Sequence, residues 1–268
     1  MNIGFIGCGN MGQAMVGGIV GSKAADSKNV MVCDHHDEKL NLVKEKYGVL
    51  VSKDSKEIAK FSDVLILAVK PNAYENTIEN IKNDVKSSAI IVSIGAGINI
   101  DFIEKHFERK IKVVRVMPNT PALVGEAMSA ICPNEEVKKE ELDSVIKIFE
   151  SFGKAEVVPE KLMSVVTAVS GSSPAFVYMF IEALADGAVM YGMPRDKAYK
   201  FAAQSVLGSA KMVLETGKHP GSLKDDVCSP SGTTIDAVYS LEKNNFRGTV
   251  MDAVKVCTEK ALKMSGDK

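Results

Sequence analysis

The sequence predicts an α/β protein: a doubly wound, mainly parallel sheet over residues 1–159, followed by an all-α domain over residues 160–268. Three observations carry that expectation. The apolar run Asn2–Ile6 leads into Gly7-Cys8-Gly9-Asn10-Met11-Gly12, a full G-x-G-x-x-G, and then into a helical pattern from Gln13 to Gly21. That order of strand, glycine turn and helix marks a Rossmann-type dinucleotide site. Strand-like runs then alternate with helical patterns as far as Met117, the spacing of crossover units. Beyond Pro159 the strand signal stops.

Within the glycine turn each glycine has its own task. One makes the tight turn, the next lets the backbone approach a pyrophosphate, and the third lets the helix pack on the strand. The pyrophosphate then meets unpaired N–H groups at the helix start. Asn29–Cys33 is the second strand and ends at Asp34, and Asp37 caps a helix that stops at Gly48. Val64–Val69 is continuously apolar, as a strand covered on both faces must be, and Lys70-Pro71 ends it. A helix over 72–81, a strand over Ala89–Ile94 closing on Gly95-Ala96-Gly97, a short helix from Asn99 and a strand over Lys112–Met117 follow. Ala127–Cys132 reads as a further strand, Glu135–Ser151 as a helix and Ala155–Val158 as a last short strand.

The expected helices of the second domain are 160–168, 173–191, 195–215, 231–243 and 247–264, separated by Gly- and Pro-rich punctuation. The block 173–191 is apolar nearly all round, so it must be buried nearly all round. It is either the centre of one compact bundle or a helix whose burial a second subunit completes, most simply in a two-fold dimer.

Composition narrows the function. With 33 basic against 34 acidic residues, the net charge of −1 gives no electrostatic footprint for nucleic acid or an anionic membrane. Cys8, Cys33, Cys132, Cys228 and Cys257 are odd in number and scattered, which suits free thiols in a reducing compartment and offers no metal clip. The first strand leaves no room for a leader, and the apolar run Ala175–Ile181 is far short of a bilayer span. The expectation is a cytoplasmic protein that needs no metal.

Several residues can carry chemistry. Asp34 closes the second strand 22 residues after Gly12, where a carboxylate bonds the ribose hydroxyls of NAD and repels the extra phosphate of NADP, so the residues favour NADH. Asp34 could instead cap the following helix. The turns Ala68-Val69-Lys70-Pro71 and Ile94–Gly97, and Asn119 after the fifth strand, lie at the carboxyl edge of the sheet, where ligands bind in such folds. Lys70 is a possible proton donor or a solvated strand end. Ser229, Ser231, Thr233 and Thr234 place four hydroxyls within six residues of a helix-opening loop, a nest suited to a carboxylate, where an ordinary cap needs only one. Ser170–Pro174 looks like a second such loop. Glu160 either faces the site or is a solvated surface residue. The stretch Ser170–Ile181 has no Lys or His to serve as the base that oxidation of a hydroxyl requires. Hydride addition to a C=N bond, which arrives already protonated, fits better.

Taken together, GFIGCGNMG (Gly4–Gly12), AVKP (Ala68–Pro71), Met117-Pro118-Asn119-Thr120-Pro121, SGSSPAF from Ser170 and HPGSLKDDVCSPSGTTI from His219 resemble the pyrroline-5-carboxylate reductases, the last step of proline biosynthesis. The resemblance spans nearly the whole chain. It implies reduction of 1-pyrroline-5-carboxylate to L-proline with NAD(P)H, with a small-molecule substrate and a homodimer or higher oligomer formed through the helical domain. It implies that Thr234 bonds the ring nitrogen, that Ser229, Gly232 and Thr233 hold the carboxylate, and that Glu160 lies near the active site. Cofactor contacts would come from Ile6, Gly7, Cys8, Gly9, Asn10, Met11 and Gly12, with Ala68–Pro71 and Gly95–Ala96. NADPH, which many members use, remains possible on this ground. The family usually has Gly-Gly where this chain has Ser231-Gly232, so a positive φ there would strain Ser231. The rival readings are a reductase of another small imine or hydroxyacid, and a non-enzymatic NAD(H)-binding sensor.

Overall fold

The computed structural model describes residues 1–266. Eight strands form one sheet in the order β3-β2-β1-β4-β5-β6-β7-β8, with β7 and β8 running antiparallel to the other six. In chain order the first elements are β1 (Ile3–Ile6), α1 (Asn10–Gly21), β2 (Val30–Cys33), α2 (Asp37–Tyr47), β3 (Leu50–Ser52), α3 (Ser55–Phe61) and β4 (Val64–Leu67). They are followed by α4 (Tyr74–Ile81), β5 (Ile90–Ser93), α5 (Ile100–Phe107), β6 (Lys112–Met117), β7 (Ala127–Pro133), α6 (Lys139–Glu150) and β8 (Gly153–Val157). The central strands β1, β2, β4 and β5 are buried at every position, as their unbroken apolar runs require. One face packs Met15, Ile19, Leu40, Val43, Ile148 and Phe149 from α1, α2 and α6, and the other packs Ile58, Ile78, Ile81, Ile103 and Phe107 from α3, α4 and α5. The expected doubly wound sheet is therefore present. The pair β3 and α3 went unread in the sequence, because a three-residue edge strand is too short to show alternation.

The remaining helices are α7 (Met163–Val166), α8 (Ser173–Met190), α9 (Arg195–Thr216), α10 (Pro220–Val227), α11 (Thr233–Lys243) and α12 (Phe246–Ser265). Two compact units result: Met1–Ser172 together with the chain from Cys257 on, and Ser173–Val256. The compact units divide at Ser172, and Met163 is fully buried in a core cluster with residues of β6 and β7. Ser170–Pro174 is not a loop. Thr167–Ser172 is a π-helical turn running straight into α8, so Glu160–Met190 forms one helical run of 31 residues, by length and composition long and apolar enough to cross a membrane. α10 occupies what looked like punctuation, since Pro220 sits at its first helical position, where a missing N–H costs nothing.

The second unit has little core of its own: Ala185, Ala198 and Ala202 are its fully buried apolar residues. Of α8, only Ala185 is buried, while Tyr178 is 60% and Met179 69% exposed. The compact-bundle alternative for this helix therefore fails, and its apolar surface is left uncovered within the chain.

Candidate active site

The glycine turn lies where β1 parts β2 from β4. Gly7 N–H donates to Cys33 O (2.8 Å) and Ala68 N–H to Ile6 O (2.8 Å), which ties the turn to both neighbouring strands. Gly7 has φ +103°, and a Cβ on it would stand 2.5 Å from Ala68 O, so only glycine fits. A Cβ on Gly12 would stand 2.7 Å from Gly7 O, which is the close helix-on-strand packing. A Cβ on Gly9 would meet nothing within 4 Å. No side chain caps α1, and its first turn carries no acid. The geometry fits a pyrophosphate: open space beside a glycine, at a helix start whose orphan donors and dipole favour an anion.

Asp34 follows β2 and turns back onto this turn. Its Oδ2 accepts the Cys8 N–H (2.8 Å) and its Oδ1 accepts the His36 N–H (3.0 Å), with His36 Nδ1 at 2.7 Å and Lys39 Nζ 3.8 Å from Oδ2. Burial alone would raise its pKa, but the Cys8 N–H, the His36 ring, the His36 N–H and Lys39 outweigh it and hold the carboxyl below its usual range. Asp34 does not cap α2, whose N-cap is His36. The Cys8 N–H is already engaged, and its thiol is pushed up to about 11 by burial and by Asp34.

The two strand-end turns share a support that sequence reading missed. Tyr74, fully buried at the start of α4, donates its hydroxyl to Leu67 O (2.6 Å) and accepts from Ser93 Oγ (3.1 Å). A Cβ on Gly95 would stand 2.6 Å from the Tyr74 ring, so Gly95 makes room for it. Ala68–Pro71 and Gly95–Ala96 are thus pinned to one hydroxyl, while Lys70 itself is exposed.

Asn119 and Glu160 have structural partners. Asn119 Nδ2 donates to Ser170 O and Oγ (both 3.2 Å), and its Oδ1 accepts the Met128 N–H (3.0 Å), so the amide clamps the π-turn to β7. Glu160 Oε1 accepts from Arg115 Nη1 (2.9 Å) and from the Ile100 N–H at the start of α5 (2.9 Å). Arg115 is 3% exposed inside β6, so Glu160 neutralises a buried cation. A lone Arg in the apolar strand KVVRVM was the signal that such a carboxylate must exist.

In the second unit, Ser229–Gly232 leads into α11. Gly232 is its N-cap and makes no side-chain cap, so ordinary capping by one hydroxyl does not describe the loop. Gly232 N–H donates to Ser229 O (3.1 Å), and a Cβ on Gly232 would lie 2.3 Å from Ser229 Oγ. Ser231 has φ +57°, the left-handed conformation that a second glycine would adopt freely. Thr234 is half-buried in the first turn, and Ser229 and Thr233 are exposed. No group of three or more potential metal ligands occurs among the described residues.

Residues 160–264 match the family described as pyrroline-5-carboxylate reductase dimerisation, and residues 2–97 that described as NADP oxidoreductase, coenzyme F420-dependent. The pyrroline-5-carboxylate reductase of Escherichia coli (strain K12) is 46% identical over 263 residues, which is 98% of each chain. The crystal structure of Plasmodium falciparum pyrroline carboxylate reductase with NADP bound is 36% identical, with a TM-score of 0.90 over 99% of this chain and 98% of that one. The pyrroline-5-carboxylate reductase from Coxiella burnetii is 33% identical, with a TM-score of 0.92 over 98% of each chain. The chain belongs to the pyrroline-5-carboxylate reductase family.

Proposed function

We propose that this protein reduces 1-pyrroline-5-carboxylate to L-proline with a reduced pyridine nucleotide, as a homodimer or larger homo-oligomer. One observation carries the reading: α1 and α11 each open on a glycine N-cap with no side-chain cap bond, and the two starts differ in character. That of α1 has open space beside Gly9, and that of α11 is lined by hydroxyls. The first suits a pyrophosphate and the second a small carboxylate.

The bound nucleotide supplies a hydride. The residues supply position. Gly7–Gly12 hold the pyrophosphate, Asp34 faces the adenosine ribose, and the turns that Tyr74 pins flank the nicotinamide end. Ser229 and the Gly232 and Thr233 backbone hold the substrate carboxylate, and Thr234 bonds the ring nitrogen. The cyclic imine arrives protonated, takes hydride at the C=N carbon and leaves as the secondary amine, so no strong base is required. Catalysis is then chiefly orientation and exclusion of alternatives. Glu160 and Asn119 act as positioning residues, Glu160 by fixing β6 against α5 and Asn119 by holding the π-turn. The carboxylate of Asp34 favours NADH over NADPH. The uncovered apolar surface of α8 supports burial against a second copy, not against lipid. Five free thiols, Cys8, Cys33 and Cys132 among them buried, suit a reducing cytoplasm.

Thr234→Val tests the substrate assignment. It removes a hydrogen bond to a charged nitrogen and keeps the side-chain shape. We expect kcat/KM for the imine to fall about tenfold to a hundredfold with KM for the nucleotide unchanged. Full turnover with an unchanged imine KM would remove Thr234 from the site.

A further inference from the structure

The adenosine end of the nucleotide site holds a group that the reading above leaves unused. His36 Nδ1 lies 2.7 Å from Asp34 Oδ1, and the His36 side chain is 68% exposed. An ionised carboxylate can only accept, so the proton in this contact belongs to Nδ1. The remaining ring nitrogen, Nε2, therefore has two opposite characters. In the neutral ring it is an acceptor, and in the protonated ring it is a donor. The ring stands three residues past the end of β2, where dinucleotide folds place the adenosine 2′-position. A ribose 2′-hydroxyl can donate to a neutral Nε2. A 2′-phosphate near neutral pH offers acceptor oxygens and negative charge, so it requires the donor.

We propose that His36 selects between the two nucleotides: its neutral ring accepts from the 2′-hydroxyl of NADH, and its protonated ring donates Nε2–H to the 2′-phosphate of NADPH. The inference rests on the reading that a pyridine nucleotide binds at the glycine turn. The other charged and titratable groups near the ring are Asp34, Lys39, Asp37 and the Cys8 thiol. Asp34 is held ionised by its donors, Lys39 stands 3.8 Å from Asp34 Oδ2, and Asp37 is paired with Lys53 at 2.7 Å. The Cys8 thiol, pushed up to about 11, stays neutral. His35, exposed and next to His36 in the chain, is a second imidazole, so it needs its own control.

The test is direct binding of NADH and of NADPH to the purified protein, followed by the fluorescence of the reduced nicotinamide from about pH 5.5 to 8.5, the range over which histidines titrate. Wild type, His36→Gln and His35→Gln are compared. We expect the ratio Kd(NADPH)/Kd(NADH) to rise about fivefold or more from acid to alkaline pH in wild type and in His35→Gln. In His36→Gln that rise should be lost, the ratio staying flat or falling toward alkaline pH. Protonation of the 2′-phosphate itself is common to all three proteins and pushes the ratio the opposite way. A flat ratio in wild type, or a rise that survives His36→Gln, overturns the selector. Failure of both nucleotides to bind at any pH is a different result and overturns the nucleotide site itself.

Discussion

At the scale of the residue, Asp34 joins two halves of the nucleotide site. Its carboxylate, proposed above to meet the ribose, also ties β2 to the glycine turn through the Cys8 N–H. The spacing from Gly12 made the first role legible. The second was not, because the bond spans 26 residues and ends on a backbone atom. The same holds for Tyr74 and Asn119, each of which bonds backbone groups that carry no residue-type signature. Glu160 was placed near the site by resemblance; the lone Arg115 of an apolar strand calls for a carboxylate, and the coordinates identify Glu160 as that partner. A pH effect follows from Asp34. Its folded-state pKa is depressed, so the stability it contributes is fully present above the unfolded value of about 3.9 and is lost as pH falls through the lower folded value. Asp34→Asn should therefore cost the nucleotide-free protein about 1 kcal/mol at neutral pH, with the difference from wild type shrinking below about pH 4. Urea unfolding at several pH values checks this; a difference that grows in acid would contradict it.

At the scale of the element, helix starts do most of the work, and their ability to bind anions depends on what does not cap them. α3 begins on Asp54, which accepts the Lys56 N–H, and α5 on Asn99, which accepts the Phe102 N–H; neither has an N–H to spare at that position. α1 and α11 begin on Gly9 and Gly232 and lack such a bond. Long periodic elements were readable, as were both of these starts. The short β3, the Pro-led α10 and the π-turn at Thr167–Ser172 were not, since each depends on pairing or packing that a local pattern does not encode. The loop before α11 carries a strained residue, Ser231 at φ +57°. Ser231→Gly should relieve it and raise stability by about 0.5 kcal/mol, after the larger chain entropy that glycine brings to the unfolded state. Ser231→Val should lower stability by about 1–2 kcal/mol. Thermal unfolding distinguishes these, and a glycine variant less stable than wild type would show that the serine side chain contributes a bond worth more than the strain.

At the scale of the whole molecule, the chain carries a well-built sheet domain and a helical unit that cannot bury its own surface. The sheet resembles any nucleotide-binding α/β core, and the glycine turn alone does not say what the hydride is for. In the proposed reading the chemistry is specified by Ser229–Thr234 and by the absence of a lysine or histidine over Ser170–Ile181, features of the helical part. That part was legible as helices with too much apolar surface, and the exposure of Tyr178 and Met179 is the structural counterpart of that pattern. The account's central claim is the reaction. Its most direct test is to incubate purified protein with 1-pyrroline-5-carboxylate and either NADH or NADPH, following nucleotide oxidation and proline together. The account predicts imine-dependent oxidation with one proline formed per nucleotide consumed. Nucleotide binding with no imine-dependent oxidation of either cofactor would contradict it and leave a sensor in place of an enzyme.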